Sequence, residues 1–280
     1  MDPLSITASG LGVTGAALSS ISNIRHVIGG IHEANDVMQN VTSNLEAIEL
    51  PLSALEKLQI SDSTTHAEIK EVSKITGVAE AVNECGQACA QFEKKLEQWT
   101  KHSSTTEVSL RDRLSVSLWK KEKIKTFRTR VLTCQAIVHF TIESAQLLIL
   151  VRSGNASKAA RQETEKKLRV LETAIQEHIE LTKRAQEATL QRKKELESPE
   201  DEDEDEDGGA QRTLAIQETE ERSRVLEADQ TASSAVSQIL SKLSVQQVAS
   251  TYHIAFSGIN NGGMQIGHNT ATVNWTSGRT

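Results

Sequence analysis

The sequence predicts an all-α protein: an N-terminal multi-helix bundle, a long helical hairpin, and a short amyloid-prone tail of β or disordered character. Three observations lead there. The chain holds only three prolines in 280 residues, and Ala, Leu, Glu, Lys, Gln and Ser dominate, a composition that favours helix. Apolar residues recur at steps of three, four and seven, and alternating patterns are scarce before residue 251. Aromatic residues make up 3% of the chain, so the core must be built from Leu, Ile, Val and Ala, as in helix bundles.

The first element is expected to start at Asp2-Pro3, a favourable helix opening. Pro3 to Ile24 is a run of 22 residues without a formal charge. Leu4, Leu11, Leu18, Ile21, Ile24, Ile28 and Ile31 form one apolar stripe. Ala8, Gly12 and Ala16, spaced by four, place small residues where another backbone could approach closely. No basic segment precedes the run, which argues against a signal peptide. Seven Ser/Thr and three Gly within it make it too polar for a standing transmembrane helix. Two readings stay open: a helix packed in the bundle, and one packed at rest that enters a bilayer on release.

Helices are then expected over about 31–50, stopped before Pro51, over 52–60, over 67–99 and over 110–151. SDSTTH at 61–66 and the polar stretch 101–106 are the breaks. Lys101 to Arg130 carries nine Lys/Arg against three Asp/Glu. Lys120, Lys121, Lys123 and Lys125, with Arg128 and Arg130, are its densest part. Such a face could meet anionic lipid headgroups or simply be solvated. No recognition motif or stacking aromatic array accompanies it, so nucleic acid is not an expected partner. Residues 1–153 form the predicted bundle.

Residues 154–250 read as a charged helical hairpin. Leu168, Leu171, Ile175, Ile179 and Leu181 lie at helical spacing in the first arm. QETEKKLRVLETA at 162–174 and QETEERSRVLEAD at 217–229 agree in eight of thirteen positions. Two copies are too few for a solenoid, and an antiparallel pair of helices accommodates them. Pro199, the acidic run Glu200–Asp207 and Gly208-Gly209 supply the expected turn, an acidic loop over 200–209. Net charge is -7, and that run alone holds eight acidic residues; without it the chain is close to neutral, so global charge points to no particular partner.

The tail, 251–280, differs. About Gln265 stand Asn261, Gly263, Gly267 and Asn269, an N-x-G-x-Q-x-G-x-N pattern of period two. In an extended chain these five share one face, and Met264 and Ile266 share the other. Stacked in register on copies of itself, such a segment forms amide ladders and a dry apolar seam. Arg279 is its one formal charge, so stacking meets little repulsion. The glycines depart from the usual zipper composition and would suit turns or bulges of an arch. A disordered tail, or a hairpin turning at Asn261-Gly262, are the alternatives.

The sequence holds no phosphate-binding Gly-rich loop, His-Glu-x-x-His, Gly-x-Ser-x-Gly or zinc-ligand spacing. The eight His residues are dispersed, and packing or capping accounts for His26 and His32. Cys85, Cys89 and Cys134 suggest reduced thiols and a cytosolic setting. Cys85 and Cys89 lie one turn apart, but no companion pair completes a metal site, and core packing is the expectation. No enzymatic activity, cofactor or metal is expected.

Two resemblances extend this reading. Met264-Gln265-Ile266-Gly267 with Asn269 resembles the amyloid core of the homotypic interaction motif of animal necroptosis kinases. It is closer to the pseudo-palindromic, RHIM-like motifs of fungal cell-death signalling proteins. Met264 replaces the usual β-branched residue, and Asn269 follows Gly267 by two residues, where the animal core places Asn three after. MDPLSITASGLGVTGAALSSI at the start and RLSVSLWKKEKIKTFRTRVLTCQAIVHFTI later resemble the fungal HeLo-like (HET-S-type) helical domain, over about residues 1–150. The resemblance implies a heterokaryon-incompatibility or necroptosis-like executioner of programmed cell death in fungal innate immunity. An NLR-type receptor bearing a similar motif would template the tail into a prion-like amyloid. Self-association would then gather the bundles, and Leu4, Leu11, Leu18, Ile21 and Ile24 would enter the plasma membrane at anionic lipids and permeabilise it. The protein would be cytoplasmic at rest. An amyloid-signalling adaptor without membrane activity and a helical scaffold with an inert tail are the alternatives.

Overall fold

The computed structural model describes residues 4–5, 14–29, 36–56, 59–60, 63–100, 118–152, 158–198 and 206–249. Among them are seven helices: α1 (Thr14–Gly29), α2 (Asp36–Glu56), α3 (Ser63–Thr76), α4 (Val78–Thr100), α5 (Leu118–Arg152), α6 (Lys158–Glu197) and α7 (Glu206–Ala249). Two dipeptides, β1 (Leu4–Ser5) and β2 (Gln59–Ile60), pair antiparallel with Leu4 opposite Ile60. The all-α expectation holds.

The hub is α5. It packs against α2, α3, α4, α6 and α7, and its buried residues, among them Phe127, Val131, Cys134, Ile137, Val138, Thr141, Ala145 and Leu148, point in every direction around the axis. A helix that is apolar all round is one that neighbours cover on all sides. Phe92 of α4 stacks on Phe127 with centroids 4.2 Å apart, and Trp99 meets Phe92 and Trp119 edge-on at 5.9 and 6.0 Å. These contacts join α4 to the start of α5 with a quadrupole preference added to the buried area.

Helices α6 and α7 form the expected antiparallel hairpin, but it lies on α5 and shares the main core. Leu168, Leu171, Ile175 and Ile179 belong to the same buried cluster as Ala232, Val236, Leu240 and Leu243 and as the core residues of α1 to α5. Apolar packing is therefore continuous across residue 153. Toward the hairpin turn the interface becomes polar. Gln186 Nε2 donates to Ser223 Oγ at 2.8 Å, and the Arg212 guanidinium donates to the carbonyls of Leu196 and Ser198, satisfying the end of α6. Leu181 is 61% exposed and leaves the stripe to which its spacing assigned it. Thr182, Gln186 and Thr189 occupy that side of α6 instead.

Several element boundaries differ from the sequence expectation. Pro51 does not end α2. Ile48 and Leu52 are both fully buried on either side of it, and their packing outweighs a proline cost of about 3 kcal/mol. The second piece expected over 52–60 is instead the last turn of α2 followed by β2. The long helix expected over 67–99 is split at Gly77, whose φ of 64° is left-handed. The amide of Gly77 donates to the Lys74 carbonyl, and Thr76 Oγ1 donates to the Ser73 carbonyl, closing α3. Gly208 and Gly209 lie inside α7, which already begins at Glu206. The end of the acidic run opens a helix rather than completing a loop, where negative charge complements the positive end of the helix dipole.

The α5–α6–α7 assembly closes on one carboxylate. Glu122 is 1% exposed. Its Oε2 accepts from Arg222 Nη1 of α7 at 2.9 Å, and its Oε1 accepts from Lys125 Nζ at 2.9 Å and Arg192 Nε of α6 at 3.3 Å. Arg222 Nε also donates to Thr189 Oγ1 at 3.1 Å. Burial alone would raise the carboxyl above its ordinary value, but Lys125, Arg222 and Arg192 together hold it below. Folding thus favours the ionised form. Its stabilisation is complete above the ordinary value of 4.5 and is lost as pH falls through the depressed folded-state value.

Removing the carboxylate with Glu122→Ala leaves Arg222 buried without its main partner, and should cost about 3–5 kcal/mol in urea unfolding. In Glu122→Gln the deficit relative to wild type should shrink as pH is lowered below about 4.5, as measured by thermal melts across that range.

Candidate functional site

The apolar stripe of the first segment is packed. Ala17, Ile21, Ile24 and Ile28 are buried and Leu18 is half-buried. α1 rests chiefly on α4 and, less extensively, on α2. Leu4 is not on this helix: it stands in β1, opposite Ile60. A helix running back from Thr14 to Leu4 would have to carry Gly10 and Gly12, each about 1 kcal/mol worse than Ala. Leu11 lies outside the described residues.

A close approach of two helices in this region is made by a pair that spacing did not single out. An added Cβ on Gly86 of α4 would sit 2.9 Å from Cα and 3.0 Å from Cβ of Ala17. Ala16 is exposed, and Ala8 and Gly12 lie outside the described residues. The α1–α2 edge is clasped by Arg25, whose Nη1 donates to Glu49 and Nη2 to Glu46, each at 2.6 Å. The hydrogen bond to Glu49 opposes the effect of burial and, with Glu46, raises the guanidinium above its ordinary value.

The basic face of α5 is divided between the α7 interface and solvent, with Lys125 exposed beside Lys121 and Arg128. Lys123 Nζ pairs with Glu218 at 2.8 Å and Lys125 Nζ with Glu122 at 2.9 Å. Arg130 pairs with Glu221. Thr126 Oγ1 donates to the Glu218 carbonyl at 2.9 Å, in register with those pairs. Lys120 Nζ lies 5.7 Å above the Trp99 ring, a cation–π contact. Lys121 and Arg128 are exposed. Part of the positive charge that suggested lipid headgroups is matched on α7 by Glu218 and Glu221, one helical turn apart.

A second buried polar node lies further along the hairpin. Asp229 is 3% exposed. Its Oδ1 is 2.9 Å from His178 Nε2, while Thr133 Oγ1 donates to Oδ2 at 3.0 Å and Ser233 Oγ to Oδ1 at 3.2 Å. Both His178 and Ser233 bond to the acid and not to one another, so the base-to-nucleophile hydrogen bond of a hydrolytic relay is missing. The node ties one residue or more from each of α5, α6 and α7.

Beside it, a cleft of about 510 Å³ opens between the Gly77 turn, α4, α5 and α7, with Cys85, Cys134, Thr133, Arg130 and Glu84 among its lining residues. All three cysteines are free and buried. Among the described residues no group of three or more His, Cys, Asp or Glu is arranged to hold a metal ion.

Leu118–Arg152 is also the one described helix long and apolar enough to cross a membrane by length and composition, although it is the core helix of this fold. The tail residues Asn261, Gly263, Met264, Gln265, Ile266, Gly267 and Asn269 lie outside the described residues. Patterning does not single out Glu122, Asp229 or Arg25. Each is an ordinary charged residue on a helix until its neighbours are known. A faint signal existed for the first two: Glu122 interrupts a basic run, and Asp229 follows the apolar pair Val225-Leu226 at helical spacing.

A family model described as pigment biosynthesis cluster protein PigL N-terminal matches residues 1–218. The match spans α1 to α6 and the first part of α7, and leaves 219–280 beyond it. No curated protein and no solved structure matches the chain.

Gly86→Ala tests the close crossing. A helical Gly→Ala change ordinarily gains up to about 1 kcal/mol. Here the clash with the backbone of Ala17 should reverse the sign and give a net loss of about 1–3 kcal/mol. Hydrogen exchange of the α1 amides should accelerate more than that of the α6–α7 amides.

Proposed function

The chain belongs to the family of the pigment biosynthesis cluster protein PigL N-terminal domain, a fungal-type helical family, and from that premise we propose that it acts by assembly and not by catalysis. In this reading it is a HeLo-like executioner of regulated cell death. Its tail, 251–280, adds to an amyloid template offered by an NLR-type receptor with a similar motif. Stacking concentrates the helical domains. Crowding releases α1, which inserts in the plasma membrane and permeabilises it. At rest the protein is cytoplasmic.

The observation that carries this reading is the uncharged N-x-G-x-Q-x-G-x-N pattern over 261–269, whose like residues meet one another on stacking. The position of α1 supports the second half. It rests chiefly on α4 and α2, away from the Glu122 node, so it can leave while α5, α6 and α7 stay joined. The Arg25 clasp to Glu46 and Glu49 is partly exposed, and a pair of that kind contributes at most about 1 kcal/mol, as suits a latch.

A second reading, an amyloid-signalling adaptor without membrane activity, is favoured by the pairing of Lys123, Lys125 and Arg130 with carboxylates of the chain itself. That pairing leaves fewer cations for anionic lipid. The family description names a pigment biosynthesis cluster and no reaction, and it favours neither reading.

The decisive experiment uses the full chain, because residues 206–249 cover α5. The protein is mixed with dye-loaded vesicles containing anionic lipid and seeded with preformed tail fibres. Seeding should release dye; Gln265→Pro should abolish fibre growth and release while leaving the helical circular dichroism intact. Arg25→Glu, which replaces the clasp with repulsion, should shorten the lag. Fibre growth without release at any lipid composition selects the adaptor, and a chain that stays soluble beside the seeds removes both readings.

A further inference from the structure

Four of the seven exposed large apolar side chains among the described residues, Leu132, Leu150, Val170 and Leu181, stand on α5 and α6. Leu132 and Leu150 lie about five turns apart on one line of α5, and Val170 and Leu181 about three turns apart on one line of α6. Glu122 of α5 meets Arg192 of α6 at 3.3 Å, and Phe140 meets His178 with ring centroids 5.3 Å apart. Each exposed line runs within about a quarter turn of those contacts on its own helix, on the side away from α7. The two lines therefore border one seam and form a single apolar strip across α5 and α6. We propose that this strip binds a second copy of the chain as an antiparallel two-fold dimer.

The charges around the strip select that partner. Arg128 is exposed and Glu143 half-buried on the α5 line, and Glu177 and Arg184 are exposed beside the α6 line. None of the four is ion-paired with another described residue of the chain. The Glu122–Arg192 and Phe140–His178 contacts fix the relative height of the two helices. They set Gln135-Ala136, midway between Arg128 and Glu143, level with Glu180-Leu181, midway between Glu177 and Arg184. One two-fold axis, lying in the strip and crossing both helices at that height, therefore serves both pairs. It lays α5 antiparallel on α5 and α6 antiparallel on α6.

Under that axis Leu181 sits beside its own counterpart, and Leu132 of each copy lies about one turn from the axis on α5. Arg128 faces Glu143 of the second copy and Glu177 faces its Arg184, each twice by symmetry, so ion pairs flank an apolar centre. Lys125 falls opposite Gln146, and no like charges meet along either line. Leu132 to Leu150 spans about 27 Å, and packed helices lie about 9 Å apart at their axes, so the covered area is on the order of 600 Å² per copy. That lies at the low end of specific interfaces and suits a reversible dimer of about micromolar affinity. The strip uses neither α1, which packs on α4 and α2, nor the tail, so the dimer stands apart from the assembly proposed above.

The test is sedimentation velocity of the full chain carrying Gln265→Pro, which keeps the tail out of the measurement. A monomer–dimer equilibrium is expected between about 1 and 100 µM, weakening as salt is raised. Arg128→Glu and Glu143→Arg should each weaken it at least about tenfold, and the double reversal should restore it to within about threefold of the starting protein. Glu177→Arg with Arg184→Glu gives the same cycle on exposed positions, should Glu143→Arg fold poorly. Leu181→Cys should form a disulfide between copies under mild oxidation, while the native cysteines, all buried, do not. A chain that stays monomeric at about 100 µM overturns the proposal. So does a dimer that the single reversals leave unchanged, or one that the double reversals fail to restore. Fibre growth by the unmodified tail has no bearing on any of these results.

Discussion

Glu122 sits where three long helices meet, and an ionised carboxylate in that position must be given back the hydrogen bonds it loses from water. It receives them from Lys125 on its own helix, from Arg192 on α6 and from Arg222 on α7. Each donor comes from a different helix, so the demand can be met only when all three are in register. Apolar contacts between Leu, Ile and Ala tolerate sliding; a buried carboxylate with three cations does not. The Asp229 node repeats the same logic further along, joining Thr133, His178 and Ser233 from the same three helices. Two polar nodes on one three-helix seam fix its rotation and its axial register.

That seam explains how the basic stretch of α5 is used. Lys123 and Arg130 of α5 face Glu218 and Glu221 on α7, while Lys121, Lys125 and Arg128 stay exposed, so part of the charge that reads as a surface patch is internal complementarity. The hairpin is thereby bound to the bundle by apolar packing at one end and by ion pairs at the other. α1 stands apart from this arrangement. It is held by side-chain packing, by the close approach of Ala17 to Gly86, and by the Arg25 clasp. The molecule thus combines a body of three long helices locked in register by buried polar nodes with a first helix held to the same core by apolar packing and a partly exposed ion-pair clasp.

Much of the helix content was legible because it depends on local pattern. Long runs of helix formers with apolar residues at three and four, such as 158–197, declare themselves within their own length. Boundaries were less legible where long-range packing overrides local preference, as at Pro51, or where one backbone angle decides, as at Gly77. The buried stripe Ile21, Ile24 and Ile28 was readable as a face. What it would rest on was not, since Gly86 lies some distance along the chain and looks like any helical glycine. The nodes at Glu122 and Asp229 were illegible for the same reason: their partners on other helices are 51 to 100 residues away in the chain.

The repeated segment shows where the division falls. Residues 162–174 and 217–229 are alike, and from the chain alone both are amphipathic helices with a conserved order of threonine, valine and leucine positions within the repeat. Local chemistry made them helical and made Thr164 and Thr219, and Leu171 and Leu226, inward-facing in both copies. Yet Val170 is 63% exposed while its counterpart Val225 is 8% exposed. The difference is tertiary. α7 packs extensively on both α5 and α6, whereas α6 packs mainly on α7, so a wider arc of the α7 surface is covered. Sequence determined that each segment would be a helix with an apolar face, because hydrogen bonding and side-chain periodicity act within a few residues. Only the assembled fold decided how much of each surface would leave water, because that depends on how many neighbours arrive and from which side.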